Sequence, residues 1–201
     1  MLAKLDTCSD FHPSALAHIY QDDVNLSIWR RQLSPHIAAY AQALIEQPHC
    51  FKTRFILPPE NISERLQKEL PLHKDRQVFI DDITLVADMF TCLFELDHVG
   101  LRMEVLNTAM CPSFHVDKVP SRLITTYVGA CTQWLPNNNV KRDSKGKVKA
   151  QANTAFNRFN VGDVAILKGE SWIGNEGKGL VHRSPSANNT SRRLVLTLDF
   201  A

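Results

Sequence analysis

The pattern of apolar and polar positions changes near residue 98. Within residues 1–97, apolar side chains recur at three- and four-residue spacing, which is typical of amphipathic helices. Ser34 suits a helix N-cap, and Pro35 suits the first helical position that follows it. The predicted helical stretches are NLSIWRRQL, SPHIAAYAQALIEQ, PENISERLQKEL and QVFIDDITLVADMFTCLFEL.

Residues 98–201 show short runs of β-forming residues separated by Pro, Gly and Asn clusters. The runs are VGLRMEVLN, SFHVD, RLITTYVG, DVAILKG, GLVHRS and RRLVLTLDF. Several short strands at close spacing favour a barrel or sandwich. We therefore predict an α+β fold in one domain of 201 residues. An N-terminal helical layer (1–97) would pack on a C-terminal β core (98–201).

One segment interrupts the β pattern. Residues 136–153 are polar and basic and contain few large apolar groups. Insertions of this kind act as lids, binding loops or disordered segments. Its composition favours a solvated loop over a contact with nucleic acid.

Composition adds few constraints. The formal net charge is +2, well below the basic excess that is usual for nucleic-acid binders. No uninterrupted apolar run is long enough for a signal peptide or a membrane span. The five cysteines form no CxxC pair, which indicates reduced thiols and a cytoplasmic protein.

Candidate chemistry begins at His115 and Asp117. In a strand, residues two apart point the same way, so this pair would face one spot. Imidazole and carboxylate are common ligands of Fe(II), Mn(II) and Zn(II). A stable site needs a third ligand, and His182 is the one other histidine downstream of His115. A second HxD, at His73, lies in a polar connector and is interpreted as surface.

The order HxD, distal His, then Arg resembles the Fe(II)/2-oxoglutarate oxygenases, which have a double-stranded β-helix (jelly-roll-like, cupin-like) core. The resemblance implies a metal triad of His115, Asp117 and His182. It also implies that Arg193, or failing that Arg192, holds the distal carboxylate of 2-oxoglutarate.

A closer resemblance covers most of the chain. The segments CPSFHVDKVPSRLITTYVG and HRSP…RLVLTLDF resemble an uncharacterised bacterial family, known only as a domain of unknown function. Some members lie near zinc-regulated genes, which implies a link to metal supply.

Four further residues could lie near the metal or the cosubstrate, and each also has a purely structural interpretation. The cosubstrate could contact hydroxyls of Thr125 and Tyr127, which share a strand face, although core packing is favoured for Tyr127. Arg122 could fix Asp117 beside the metal, or simply end a strand. Arg102 could face the site or lie at a solvated edge. Many oxygenases place a hydroxyl where this chain has Val195.

Three functions follow from these residues. The first is an Fe(II)/2-oxoglutarate-dependent dioxygenase acting on an unidentified substrate. The second is a non-catalytic Zn(II) protein of metal homeostasis with the same three ligands and, in a minor variant, Cys111. The third is a metal-free β module, in which the three side chains would not converge.

Overall fold

A seven-stranded sheet is the largest element of this mixed α/β fold. The computed structural model describes residues 7–143, 148–149, 155–186 and 192–201. The strand order of the large sheet is β1-β2-β10-β5-β12-β4-β3, with β1 and β2 parallel and the other pairs antiparallel. A small sheet has the order β11-β6-β9. The strands are β1 (Thr7–Asp10), β2 (Leu26–Trp29), β3 (Lys52–Leu57), β4 (Val99–Leu106), β5 (Ser121–Val128), β6 (Gln133–Leu135), β7 (Lys141–Arg142), β8 (Val148–Lys149), β9 (Asn157–Arg158), β10 (Val164–Lys168), β11 (Val181–Arg183) and β12 (Arg193–Phe200).

Three of the predicted helices are confirmed. The side chain of Ser34 accepts a hydrogen bond from the backbone N–H of Ile37, so Ser34 caps the first helix as expected. The α-helices are α1 (Pro35–Ile45), α2 (Ile62–Glu69) and α3 (Arg76–Phe94), and short 3-10 helices span Pro13–Tyr20, Pro59–Asn61 and Asn137–Asn139.

The helical prediction for NLSIWRRQL is wrong, because Leu26–Trp29 forms β2. This strand lies between β1 and β10, and Leu26, Ser27 and Ile28 are all fully buried. A strand that is buried on both faces lacks the alternation of polar and apolar residues. The two-residue period that marks a strand was therefore absent from this segment. Strands β1 and β3 also come from residues 1–97, so the N-terminal part contributes to the sheet as well as to the helices.

The two faces of the large sheet pack into separate cores. On β5, Leu123 and Tyr127 belong to the core cluster that contains side chains of α1 and α3. We call this side the helix face. Ile124 of β5 and Val195 of β12 belong to the second cluster, together with Trp134 of the small sheet. We call this side the inner face, and it carries the candidate site.

Part of the insertion at 136–153 is ordered into the β7–β8 pair. The insertion also contains the short 3-10 helix Asn137–Asn139. Residues 144–147 and 150–153 of the predicted loop lie outside the described residues. Among the helices that the structure describes, none combines the length and the apolar composition needed to cross a bilayer.

Candidate metal centre

The two histidines predicted as ligands lie side by side. The backbone N–H of His115 donates to the carbonyl of His182 at 3.0 Å, and the reverse hydrogen bond is also 3.0 Å long. This isolated antiparallel bridge, rather than the continuous strand predicted for SFHVD, pairs the two segments. Directly paired antiparallel residues point to the same side, and the ring centroids are 4.6 Å apart.

Hydrogen bonds to the backbone orient both rings. Nδ1 of His115 lies 3.0 Å from the carbonyl oxygen of Ser113, and Nδ1 of His182 lies 3.2 Å from that of Leu180. A carbonyl only accepts hydrogen bonds, so each Nδ1 carries a proton, and each Nε2 is the nitrogen that faces Asp117. Metal-binding histidines are oriented by backbone carbonyls in this way.

Asp117 completes the cluster. His115 Nε2 lies 3.6 Å from Asp117 Oδ1, and His182 Nε2 lies 3.3 Å from Asp117 Oδ2. One ligand atom from each of the three residues lies within 4.8 Å of the other two. Two imidazole nitrogens and one carboxylate that converge in this way fit a divalent transition metal. Within the described part of the chain, this is the only such group of three, and Cys111 does not belong to it.

Arg122 forms an ion pair with the carboxylate of Asp117. Arg122 donates from Nη1 to Asp117 Oδ2 at 2.8 Å. It also donates from Nε and Nη2 to the two oxygens of Asp199, at 2.7 and 2.8 Å. The predicted contact between Arg122 and Asp117 is therefore present. Sequence reasoning missed Asp199, because it lies in the last strand and meets Arg122 only through the pairing of β5 with β12.

Electrostatics keep Asp117 ionised. Burial alone would raise the pKa of this carboxyl, but hydrogen bonds from His115 and His182, with the charges of His182 and Arg122, hold the pKa well below its usual range. The hydrogen bond to Asp117 raises the pKa of His115, and burial opposes this effect. The charged carboxylate is the form that binds a cation.

A loop after β10 supports the backbone of residues 117–120, which we call the ligand segment. The N–H groups of Gly169, Glu170 and Ser171 donate to the carbonyls of Pro120, Asp117 and Val119. A Cβ added at Gly169 would collide with the backbone oxygen of Val119 and lie 2.9 Å from that of Asp117. Glycine is therefore required for close approach here. A lone glycine carries no sequence signal for this function.

Arg193 lies on the inner face and is 7% exposed. Nη1 donates to the carbonyl of Ala130 at 3.2 Å, and Nη2 lies 3.5 Å from Thr132 Oγ1. Its Nε is buried without a partner, and no carboxylate pairs with it in the part of the chain that the structure describes. Burial lowers the pKa of Arg193 to about 10. Thr132 lies two residues before Trp134, the strand partner of His182.

Two predicted cosubstrate contacts need correction. Thr125 and Tyr127 share the helix face, on the side of the sheet away from Arg193. The Tyr127 hydroxyl donates to Asp82 on α3 at 2.8 Å, so core packing, the favoured interpretation for this residue, applies. Thr125 is also buried, at 1% exposure. Neighbouring residues of a strand point to opposite faces of the sheet, so an error of one position places a side chain on the wrong face.

Arg192, the alternative candidate for holding the distal carboxylate of 2-oxoglutarate, also points away from the cluster. Its Nη1 donates to the carbonyls of Ile45 and Gln47, at the end of α1. Arg102 does not contact the ligands. It donates to Glu104 at 2.9 Å on the same strand, and its Nε is buried without a partner.

Two comparisons with known proteins concern the family of the chain. A family model described as "Protein of unknown function (DUF1826)" matches residues 10–199. A search of curated proteins found no match. These results agree with the resemblance to an uncharacterised family that the sequence showed.

Solved structures of oxygenases share the fold. The dioxygenase for auxin oxidation 1 from Arabidopsis thaliana, in a binary complex with 2-oxoglutarate, is 9% identical, with a TM-score of 0.58 over 96% of this chain and 91% of that chain. The full-length T7H of Neurospora crassa, in complex with alpha-KG, is 11% identical, with a TM-score of 0.50 over 93% and 77% of the two chains. At these identities the likeness shows the fold alone.

Proposed function

The chain belongs to the DUF1826 family, and we propose that this member is an Fe(II)/2-oxoglutarate-type oxygenase with a double-stranded β-helix core. One observation carries the proposal. Three converging candidate ligands, His115, Asp117 and His182, share the inner face with a buried arginine, Arg193, that has no carboxylate partner among the residues that the structure describes. The fold shared with oxygenases supports the same conclusion.

The three ligands fit Fe(II) by their chemistry. Two neutral imidazoles and one carboxylate form the 2-His-1-carboxylate set of non-haem Fe(II) oxygenases, which leaves coordination positions open. Bound Fe(II) and 2-oxoglutarate would supply the oxidation chemistry that amino-acid side chains lack. In this chain, the carbonyls of Ser113 and Leu180 orient the two rings, and Arg122 orients the carboxylate.

Arg193 has the properties of a carboxylate clamp. A guanidinium held by one backbone carbonyl and one hydroxyl keeps donors for an incoming anion. A buried cation without a counterion is unfavourable, and the distal carboxylate of 2-oxoglutarate would supply the missing charge. Val195 leaves this clamp without the neighbouring hydroxyl that many oxygenases have.

Little solvent reaches Arg193, which is 7% exposed. Ile124, Val195, Leu167 and Trp134 belong to one buried apolar cluster on the inner face. A dry wall strengthens the electrostatic attraction between Arg193 and a carboxylate. The chain therefore contributes binding, orientation and exclusion of solvent.

The test is a titration with 2-oxoglutarate by calorimetry under anaerobic conditions, with and without Fe(II). We expect 2-oxoglutarate to bind only with Fe(II). Arg193→Met should weaken its binding about 100-fold, because two charge-assisted hydrogen bonds of about 1.5 kcal/mol each are lost. Arg192→Met is the matched control, since it removes an equal charge one residue away and on another side of the strand.

A second titration measures the metal itself. His115→Ala should abolish stoichiometric binding of Fe(II), whereas His73→Ala, in the other HxD, should leave it unchanged. Stoichiometric zinc in protein from defined medium, together with no Fe(II)-dependent binding of 2-oxoglutarate, would favour the zinc protein and refute the oxygenase.

A further inference from the structure

A cavity of about 180 Å³ has Arg122, the hydrogen-bond partner of Asp117, in its wall. It opens between β3, β4 and β12, and Arg54, Arg102 and Arg122 all line it. Arg122 connects the cavity to the site, because the same guanidinium contacts Asp199 in the cavity wall and Asp117 in the ligand set. Arg122 therefore links the wall of this cavity to the ligand set by direct hydrogen bonds.

The cavity contains guanidinium groups that its own carboxylates do not satisfy. Arg54 and Arg102 are directly paired across β3 and β4, and like charges in this position repel each other unless an anion lies between or beside them. Arg102 uses Nη2 to hold Glu104, and its Nε is buried without a partner. Arg54 has no hydrogen bond or ion pair with any residue that the structure describes.

The other acidic group in the cavity is already engaged. Both oxygens of Asp199 accept hydrogen bonds from Arg122. Arg102 is paired with Glu104, and Arg122 is shared between Asp117 and Asp199. Arg54 is therefore the guanidinium of this cavity that lacks a carboxylate partner among the described residues. Exposed apolar side chains form its rim, with Ile56 63% and Met110 42% exposed.

We propose that this cavity binds an oxyanion, a carboxylate or a phosphate, on a short apolar group, and so anchors the anionic end of the substrate. Arg54 and Arg102 would hold the oxyanion through the planar donor geometry that suits both groups. Ile56 and Met110 would contact the adjacent carbon atoms. The assignment of this ligand as the substrate rests on the proposed oxygenase function, whereas the binding of an oxyanion does not.

The experiment follows the methyl group of Met110 by NMR in metal-free protein labelled with ¹³C-methyl methionine. The chain has four methionines, and Met110→Leu identifies the resonance. Butanoate, butyl phosphate and the neutral butanamide are the probes. We expect the resonance to shift saturably with one or both anions and not with the amide. The stronger anion identifies the substrate class.

Arg54→Met is the decisive variant. Arg54 is exposed and has no partner among the described residues, so its loss should leave the fold intact. Anion affinity should fall about tenfold with one charged donor removed. Lys52→Met is the matched control, since Lys52 lies two residues away on the same strand but does not line the cavity. Arg102→Met should lose more anion affinity than Arg54→Met. If Arg102→Met does not fold, the affinity of Arg54→Met tests the proposal.

Several results would overturn the proposal. They are no shift of Met110 with either anion, an equal shift with butanamide, or equal affinities for Arg54→Met and Lys52→Met. The metal and 2-oxoglutarate titrations fail or succeed independently of this measurement. Oxyanion binding without Fe(II)-dependent binding of 2-oxoglutarate would refute only the proposed oxygenase function. Fe(II)-dependent binding of 2-oxoglutarate without oxyanion binding would refute only the proposed anion site.

The link to the metal centre has its own readout. Co(II) in the site should broaden the proton resonances of bound butanoate, because Arg122 lines the cavity and also donates to Asp117. Binding of butanoate without such broadening would overturn its assignment as the substrate anchor.

Discussion

The contact of Gly169 with the ligand segment predicts a specific defect. Substitution Gly169→Ala would place a Cβ against the backbone oxygens of Val119 and Asp117. Backbone atoms cannot rotate away as a side chain can, so the two segments must separate. The φ angle of Gly169 lies outside the positive range, so the effect would come from this collision rather than from backbone strain.

The cost follows from the hydrogen bonds that join the two segments. Separation breaks the bonds from the N–H groups of Gly169, Glu170 and Ser171 to the ligand segment. At about 1 kcal/mol each, their loss lowers the free energy of unfolding by about 3 kcal/mol. The melting temperature of a chain of this size should fall by about 6–12 °C. Displacement of Asp117 should also weaken metal binding about 10–100-fold.

Two measurements check this expectation. Urea unfolding gives the free energy, and titration with Co(II), followed by visible absorbance, gives the metal affinity. Gly100→Ala is the control, since its added Cβ would make only ordinary contacts, the nearest at 3.6 Å. If Gly169→Ala stays within about 1 kcal/mol of the natural chain, or binds Co(II) equally well, then this loop does not position the ligand segment.

Further substitutions test other parts of the site. Asp199→Asn should weaken Co(II) binding about tenfold, because it frees Arg122 from the position that holds Asp117; unchanged affinity would contradict this role. Tyr127→Phe should cost about 1–2 kcal/mol of stability in urea unfolding, through the lost bond to Asp82, and leave 2-oxoglutarate binding unchanged; weaker cosubstrate binding would contradict the placement on the helix face. The depressed pKa of Asp117 means that its stabilisation of the metal-free protein is full above about pH 4 and is lost as the pH falls. Unfolding measured across acidic pH should therefore show a weaker pH dependence in Asp117→Asn, and equal slopes would contradict the shift.

The local pattern predicted most of the regular structure. Helices α1, α2 and α3 have strong periodicity and end signals, and β4, β5, β10, β11 and β12 coincide with predicted β runs. Strand β2 was mispredicted because burial on both faces removes the alternation that marks a strand. The part before residue 98 is mainly helical, as predicted, but it also contributes β1, β2 and β3 to the sheet. Burial on both faces explains only β2, because β3 alternates between exposed and buried residues.

The sequence by itself determined the chemistry of the candidate site. The residue types and order of His115, Asp117 and His182 predicted the ligand set, and the structure brings these three together. Only the tertiary structure decided which side chains surround them. The choice between Arg193 and Arg192, and the exclusion of Tyr127, depend on which face of the sheet each residue occupies. The face is set by long-range strand pairing, which local sequence does not encode, and a shift of one residue reverses it. The Arg122–Asp199 pair and the contact at Gly169 likewise join segments distant in sequence, so they exist only once the chain has folded.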